Sequence, residues 1–183
     1  MSLHRRDVVK KLLANRGDLL VVAGLGSTAW DITAAGDTPL NFPTWGAMGQ
    51  SAMIGLGLAL AQPQRRVLVI TGDGEMLMGL GSLATIGVQR PENLAVVVID
   101  NESYGETGMQ ATHTASGVDL AGVAKACGLK ICDWQTILQQ AGPGFAVVKV
   151  LAEKIPLALP PREGALLKAR FRRALLGPQA DSV

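Results

Sequence analysis

The sequence predicts an α/β fold, a doubly wound parallel sheet with helices on both faces, in a chain of 183 residues. Three observations carry this. Four short runs, residues 19–23, 66–71, 94–100 and 145–150, are almost continuously apolar and rich in Val, Ile and Leu, as parallel strands covered on both faces are. Stretches with helical spacing lie between them, so strand and helix alternate. The segments after the first three runs are rich in Gly or side-chain oxygen, and sheets of this kind bind ligands beyond the carboxyl ends of their strands, at a switch in strand order.

In chain order, residues 1–17 form a polar amphipathic leader with a helix over 8–15. It lacks the apolar stretch of a secretory signal. The first strand, 19–23, runs into Gly24-Leu25-Gly26-Ser27. A helix follows over 50–61, then strand 66–71, the turn Gly72-Asp73-Gly74, and a helix from about 78 to 89. Strand 94–100 ends at Asn101. Helices are expected over 119–127 and 136–141 and a last strand over 145–150, so the main domain spans 18–156. Residues 157–183 form a basic helix around 166–176 and a tail. Lys168, Arg170, Arg172 and Arg173 there suit a solvated or docking helix, or an anionic partner surface.

Composition excludes more than it selects. A hydrophobic content of 48% supports one buried core, while a net charge of +2 with 17% charged residues gives no field that would argue for nucleic acid or membrane. No run approaches the roughly 18 apolar residues needed to span a bilayer, so the expected location is cytoplasmic. Cys127 and Cys132 are five positions apart and make neither a C-x-x-C redox pair nor a metal cluster. They are expected as buried, reduced thiols.

The chemistry concentrates after the second and third strands. A carboxylate at a strand end, Asp73, suits a hard cation; Gly72 and Gly74 let backbone approach a phosphate, and the following helix offers free N–H groups to it. Asn101 comes 28 positions later, at the end of the next strand, and its amide oxygen is a second ligand of the kind magnesium accepts. One loop, one crossover helix and one strand consume about 25 to 30 residues, so neighbouring parallel strands bring Asp73 and Asn101 to one edge of the sheet.

Gly72 to Asn101, GDGEMLMGLGSLATIGVQRPENLAVVVIDN, resembles the diphosphate-binding domain of thiamine diphosphate-dependent decarboxylases. The resemblance implies magnesium held by Asp73 and Asn101 through side chains and by the Ser103 carbonyl. Gly74, Glu75 and Met76 would lie along the diphosphate, and Gly24, Gly26 and Ser27 would touch its outer phosphate. The stretch 41–63, NFPTWGAMGQSAMIGLGLALAQP, is similar to the family's aminopyrimidine-binding segment. It implies that the Gly46 carbonyl accepts the 4′-amino group and that Met48, beside Ala47, props the cofactor into its bent form. Residues 104–128 resemble the corresponding region of two-chain sulfopyruvate decarboxylases and of phosphonopyruvate decarboxylases. Tyr104 and Gly105 would border the cofactor, Gln110, Thr112 and His113 would face cofactor or substrate, and His113 could relay a proton.

The family also needs a glutamate from a pyrimidine-binding domain, which nothing here matches. The expectation is therefore a partner subunit supplying that glutamate, in a heterodimer or higher hetero-oligomer that acts on a small 2-oxo acid and releases carbon dioxide and an aldehyde. Three alternatives remain open: a carboligase or oxidoreductase subunit with the same cofactor; a non-catalytic binding subunit; and a nicotinamide or flavin protein, because Gly24–Ala29 and Gly79–Ala84 both fit G-x-G-x-x-A.

Overall fold

A computed structural model describes residues 3–181. Six strands form one fully parallel sheet: β1 (Leu20–Ala23), β2 (Asn41–Pro43), β3 (Val67–Gly72), β4 (Leu94–Asp100), β7 (Lys130–Ile131) and β8 (Gly144–Lys149). Their order is β2-β1-β3-β4-β8-β7. The chain leaves β1 toward one edge to make β2, then returns past β1 to make β3 on the other side, so the strand order switches between β1 and β3. Crevices open at such points.

Every residue of β1 and β4 is buried, and successive residues feed two separate cores. Leu20, Val22, Val67, Val69, Val96 and Val98 face one core; Val21, Ala23, Leu68, Ile70, Val97 and Ile99 face the other. The period-2 geometry of a strand thus converts a continuous apolar run into two covered faces. Helices α3 (Ser51–Ala61), α4 (Asp73–Met78), α5 (Ser82–Gln89), α6 (Leu120–Ala126) and α7 (Gly164–Leu176) contribute to the first core. Helices α1 (Arg5–Leu12) and α2 (Ser27–Ala34) contribute to the second. Both faces carry helices, as the sequence predicts.

Several elements differ from expectation. The helix placed over 78–89 is two helices: α4 starts directly at Asp73 and α5 at Ser82. The break falls at Gly79–Gly81, where a Cβ on Gly79 would collide with the Gly49 carbonyl, so the backbones of two segments touch there. Residues 136–141 form only a one-turn 3₁₀ segment, Ile137–Gln139. Helix α2, the edge strands β2 and β7, and the small hairpin of β5 (Ser103–Tyr104) and β6 (Gln110–Ala111) were not foreseen.

The terminal regions join the domain. Helix α1 is no free leader: Val8, Val9, Leu12 and Leu13 are buried in the second core. Leu3 bridges Val150 just past β8, which places the start of α1 at the carboxyl edge of the sheet. Helix α7 docks through Leu167 and Phe171, and the Phe171 ring meets Phe42 of β2 edge-on at 5.3 Å. Arg170 grips Asp37 at 2.6 and 3.0 Å, so part of the basic face binds the chain itself. Cys127 and Cys132 are free and half-buried rather than fully buried. Among the described residues no helix is long and apolar enough to cross a membrane.

Candidate active site

At the β1/β3 switch lies a cleft of about 250 Å³, lined by residues at or after the ends of β1, β2, β3 and β4 and by one residue of α1. Asp73 is the first residue of α4, where the helix dipole favours a negative group. It is 1% exposed. The Thr112 hydroxyl donates to its Oδ2 at 2.5 Å and the Thr114 hydroxyl at 3.3 Å. Oδ1 has no partner from another side chain among the described residues. Burial pushes the Asp73 carboxyl up from its ordinary value, the Thr112 hydrogen bond opposes this, and the Asp100 charge adds to it. A cation in the cleft would offset that unfavourable burial.

Asn101 lines the same cleft, one residue past β4, and its Oδ1 accepts the Ser103 N–H at 3.1 Å. β3 and β4 are adjacent in register, Gly72 opposite Ile99, so the expected juxtaposition of Asp73 and Asn101 is what the sheet produces. Ser103, Tyr104 and Gly105 continue the lining. Tyr104 lies so close to Gly74 that a Cβ there would meet its ring at 2.5 Å; Gly74 is required by this packing. No cluster of three or more His, Cys, Asp or Glu side chains occurs among the described residues. A cation here would rest on one carboxylate and neutral oxygens, a set that suits magnesium with phosphate and water completing it.

Ser27 and Thr28 open α2 at the cleft. The remaining expected residues divide by their side chains. Glu75 borders the cleft but its carboxylate is spent on the framework: it accepts the Leu25 N–H at 2.9 Å and the Ser51 N–H at 3.4 Å. Its burial at 4% exposure raises its pKa. A Cβ on Gly24 would collide with this carboxylate, so Gly24 serves the Glu75 tie and does not line the cleft. Gly26 is the N-cap of α2 at φ +74°, with the Glu106 carboxylate over it. Met76 points into the first core.

Met48 lines the cleft and is half-buried, whereas Gly46 and Ala47 are outside the lining. The loop they share is anchored at both ends. The Thr44 N–H and hydroxyl donate to the Ala23 carbonyl at 2.9 and 3.0 Å, and Gly49 packs on Gly79. Gly46 sits at φ +64° and is exposed, a conformation that favours glycine.

His113 is a correction. It is exposed and absent from the cleft, while Thr112 and Thr114 on either side are buried and turn to Asp73. Residues 113–116 form a 3₁₀ turn after Thr112, and that turn brings both threonine hydroxyls to Asp73 while the imidazole stays in solvent. Gln110 also turns away, bonded to Thr107 at 2.8 and 2.9 Å.

Sequence reasoning missed three groups. The single Thr114 hydroxyl proton is shared between Asp73 and buried Asp100, the nearer acceptor at 2.9 Å, and Asp100 pairs with Lys149 at 2.9 Å. Glu106 and Thr107 rim the cleft from the hairpin loop. Arg5 of α1, 3% exposed, lines it from below α2; it lies 68 positions before Asp73 and no local motif marks it.

Residues 26–157 match the family model for the thiamine pyrophosphate enzyme, C-terminal TPP binding domain. The chain belongs to the thiamine pyrophosphate enzymes. Among curated relatives, it is 34% identical over 187 residues to the sulfopyruvate decarboxylase subunit beta of Methanothermobacter thermautotrophicus, covering 99% of this chain and 100% of that one. It is 44% identical over 126 residues to the corresponding subunit of Methanocaldococcus jannaschii, covering 68% of this chain and 66% of the relative. The solved benzoylformate decarboxylase of Polynucleobacter necessarius shares the fold, with a TM-score of 0.70 at 22% identity over 86% of this chain and 35% of that one. A nicotinamide protein is excluded on the same grounds. Gly24 and Gly26 accommodate Glu75 and Glu106 side chains, and Gly79–Ala84 spans a helix break rather than a strand end.

Proposed function

We propose that this chain is the cofactor-holding subunit of a two-chain, magnesium-dependent thiamine diphosphate decarboxylase. Its substrate is a short 2-oxo acid with a second acidic group, of the sulfopyruvate or phosphonopyruvate kind. The observation that carries the proposal is the buried Asp73 carboxylate, held by two threonine hydroxyls through one oxygen, beside Asn101 at the switch point. Support comes from the full-length likeness to a chain described as a beta subunit of sulfopyruvate decarboxylase.

When bound, the cofactor supplies the electron sink for loss of carbon dioxide from the 2-oxo acid. The chain supplies binding, orientation and dryness. Asp73 and Asn101 hold the cation, with the Ser103 carbonyl as a further oxygen, and Thr112 and Thr114 prevent the Asp73 carboxylate from rotating away. Ser27, the start of α2 and the turn Gly72-Asp73-Gly74 present hydroxyl and N–H donors to phosphate oxygens. Met48, carried on a loop fixed at both ends, props the organic part of the cofactor, and the Gly46 carbonyl orients its amino group. Tyr104 packs over Gly74 and keeps water from that side. A partner subunit brings the glutamate that handles the proton at the far end of the cofactor.

The test combines the chain with its partner subunit and measures carbon dioxide release from sulfopyruvate and phosphonopyruvate, with and without thiamine diphosphate and Mg²⁺. Release that requires both is expected. Asp73→Asn should abolish Mg²⁺-dependent cofactor binding by calorimetry, since the cation loses its one protein carboxylate. Met48→Ala should bind cofactor normally and turn over slowly. Tight cofactor binding with no carbon dioxide from any 2-oxo acid would overturn the decarboxylase assignment. Unchanged Mg²⁺ dependence in Asp73→Asn would overturn the site.

A further inference from the structure

The stretch Gly72–Gly79, which lies closest to the expected diphosphate, contains no Lys or Arg. The cleft nevertheless holds a buried cation. Arg5, 3% exposed, reaches it from the first turn of α1. Its Nη1 donates to the Ser27 carbonyl at 3.0 Å and to Asp31 Oδ2 at 2.5 Å, while Nε and Nη2 have no protein partner among the described residues. Asp31 is fully buried, and its other oxygen takes Arg6 Nε at 3.1 Å. Two guanidinium groups around one carboxylate leave the cluster with one net positive charge.

The unpaired edge of this otherwise buried guanidinium is open to the cleft, where an anion can take a two-point charge-assisted contact from it. The arrangement suits the opening of α2, where Ser27 and Thr28 line the cleft and the helix dipole is positive. A diphosphate ester brings roughly two to three negative charges at neutral pH. A divalent cation next to Asp73 offsets about one of them after that carboxylate is counted, and the Glu106 carboxylate at the cleft rim adds a further negative charge, so the site lacks positive charge without Arg5.

We propose that Arg5 binds the outer phosphate of the diphosphate through its Nε/Nη2 edge, so that the N-terminal helix, outside the matched family region 26–157, is part of the cofactor site. This rests on the cofactor reading above. Asp31 holds the guanidinium in place, so little side-chain freedom is lost on binding. Arg6 shares Asp31 but does not line the cleft; its Nη2 donates to the Pro156 carbonyl at 2.8 Å.

The experiment uses the full chain with its partner subunit. Calorimetry follows thiamine diphosphate, thiamine monophosphate and inorganic diphosphate, each with Mg²⁺, for wild type, Arg5→Met, Arg5→Lys and Arg6→Gln. Loss of a charge-assisted contact predicts that Arg5→Met weakens thiamine diphosphate and inorganic diphosphate about tenfold or more. The monophosphate, which lacks the outer phosphate, should change by less than about threefold. The lysine variant should fall between, and it carries the test alone if the methionine variant does not fold. Arg6→Gln should stay within about threefold of wild type. Amide exchange of residues 5–12 should slow on adding Mg²⁺ and inorganic diphosphate to wild type.

If Arg5 only fastens α1 to α2, Arg5→Met lowers the melting temperature yet leaves all three affinities unchanged, and the proposal is overturned. Equal weakening of monophosphate and diphosphate overturns it too, as does a raised KM for the 2-oxo acid with unchanged cofactor affinity. Wild-type protein that binds no diphosphate in a Mg²⁺-dependent way would instead remove the cofactor reading itself.

Discussion

Replacing Thr112 with valine isolates the part of the proposed metal site that the threonines contribute. Valine matches threonine in shape, so the buried pocket around residue 112 is not emptied. What disappears is the 2.5 Å donation to Asp73 Oδ2 and the 2.9 Å contact with the Thr114 hydroxyl. A hydrogen bond to a charged acceptor contributes about 1.5–3 kcal/mol, and each 1.4 kcal/mol is about tenfold in an equilibrium constant. Thr114 remains, but at 3.3 Å from Asp73 it holds the carboxylate weakly. Mg²⁺ affinity at saturating thiamine diphosphate should therefore fall about 10- to 100-fold, the range for losing an outer-shell partner. Calorimetric Mg²⁺ titration of the two-chain protein measures this. Affinity within about twofold of wild type, with Thr112→Val folded, would show that Asp73 needs no orienting group and would refute the reasoning.

Three further outcomes follow from particular contacts. Gly24→Ala places a methyl group into the Glu75 carboxylate and should cost about 1–3 kcal/mol, with the loss in urea unfolding much reduced in Gly24→Ala/Glu75→Ala relative to Glu75→Ala; additive losses would refute the clash. Phe171→Ala removes the ring that closes the first core against Phe42 and should cost about 3 kcal/mol. Amide exchange should rise most in α7, and uniform rises across the sheet would contradict a locally docked helix. His4 bonds Glu153 at 2.9 Å and that bond raises its pKa. The tie is complete below the ordinary value of 6.5 and is lost as pH rises through the raised one. Exchange in the segment after β8 should therefore be faster at pH 8 than at pH 6 after correction for intrinsic rates, with His4→Gln flat across that range.

The legible parts of the site were those set by local geometry. Asp73 and Asn101 share one cleft because a crossover between adjacent parallel strands has a nearly fixed length, so spacing along the chain becomes proximity in space. Met48 and Ser27, singled out by motif, line the same cleft. Glu75 and Gly24 also matched the motif, yet their side-chain relation, a carboxylate filling the space a Cβ would take, exists only once β1 and α4 are packed together. His113 stays outside the cleft: in a run of polar residues the pattern cannot say which side chains face inward, and the 3₁₀ turn over 113–116 sends two hydroxyls to Asp73 instead.

The sequence by itself determined that strands and helices alternate, that the central strands are buried on both faces, and that Asp73 and Asn101 fall at strand ends. Periodicity and connection length are properties of neighbouring residues, so one dimension suffices for them. The tertiary structure alone decided the switch between β1 and β3, the docking of α7 and the arrival of Arg5 beside Ser27. Each depends on segments far apart in the chain: Leu3 meeting Val150 sets where α1 begins, and only that placement carries a guanidinium into the cleft.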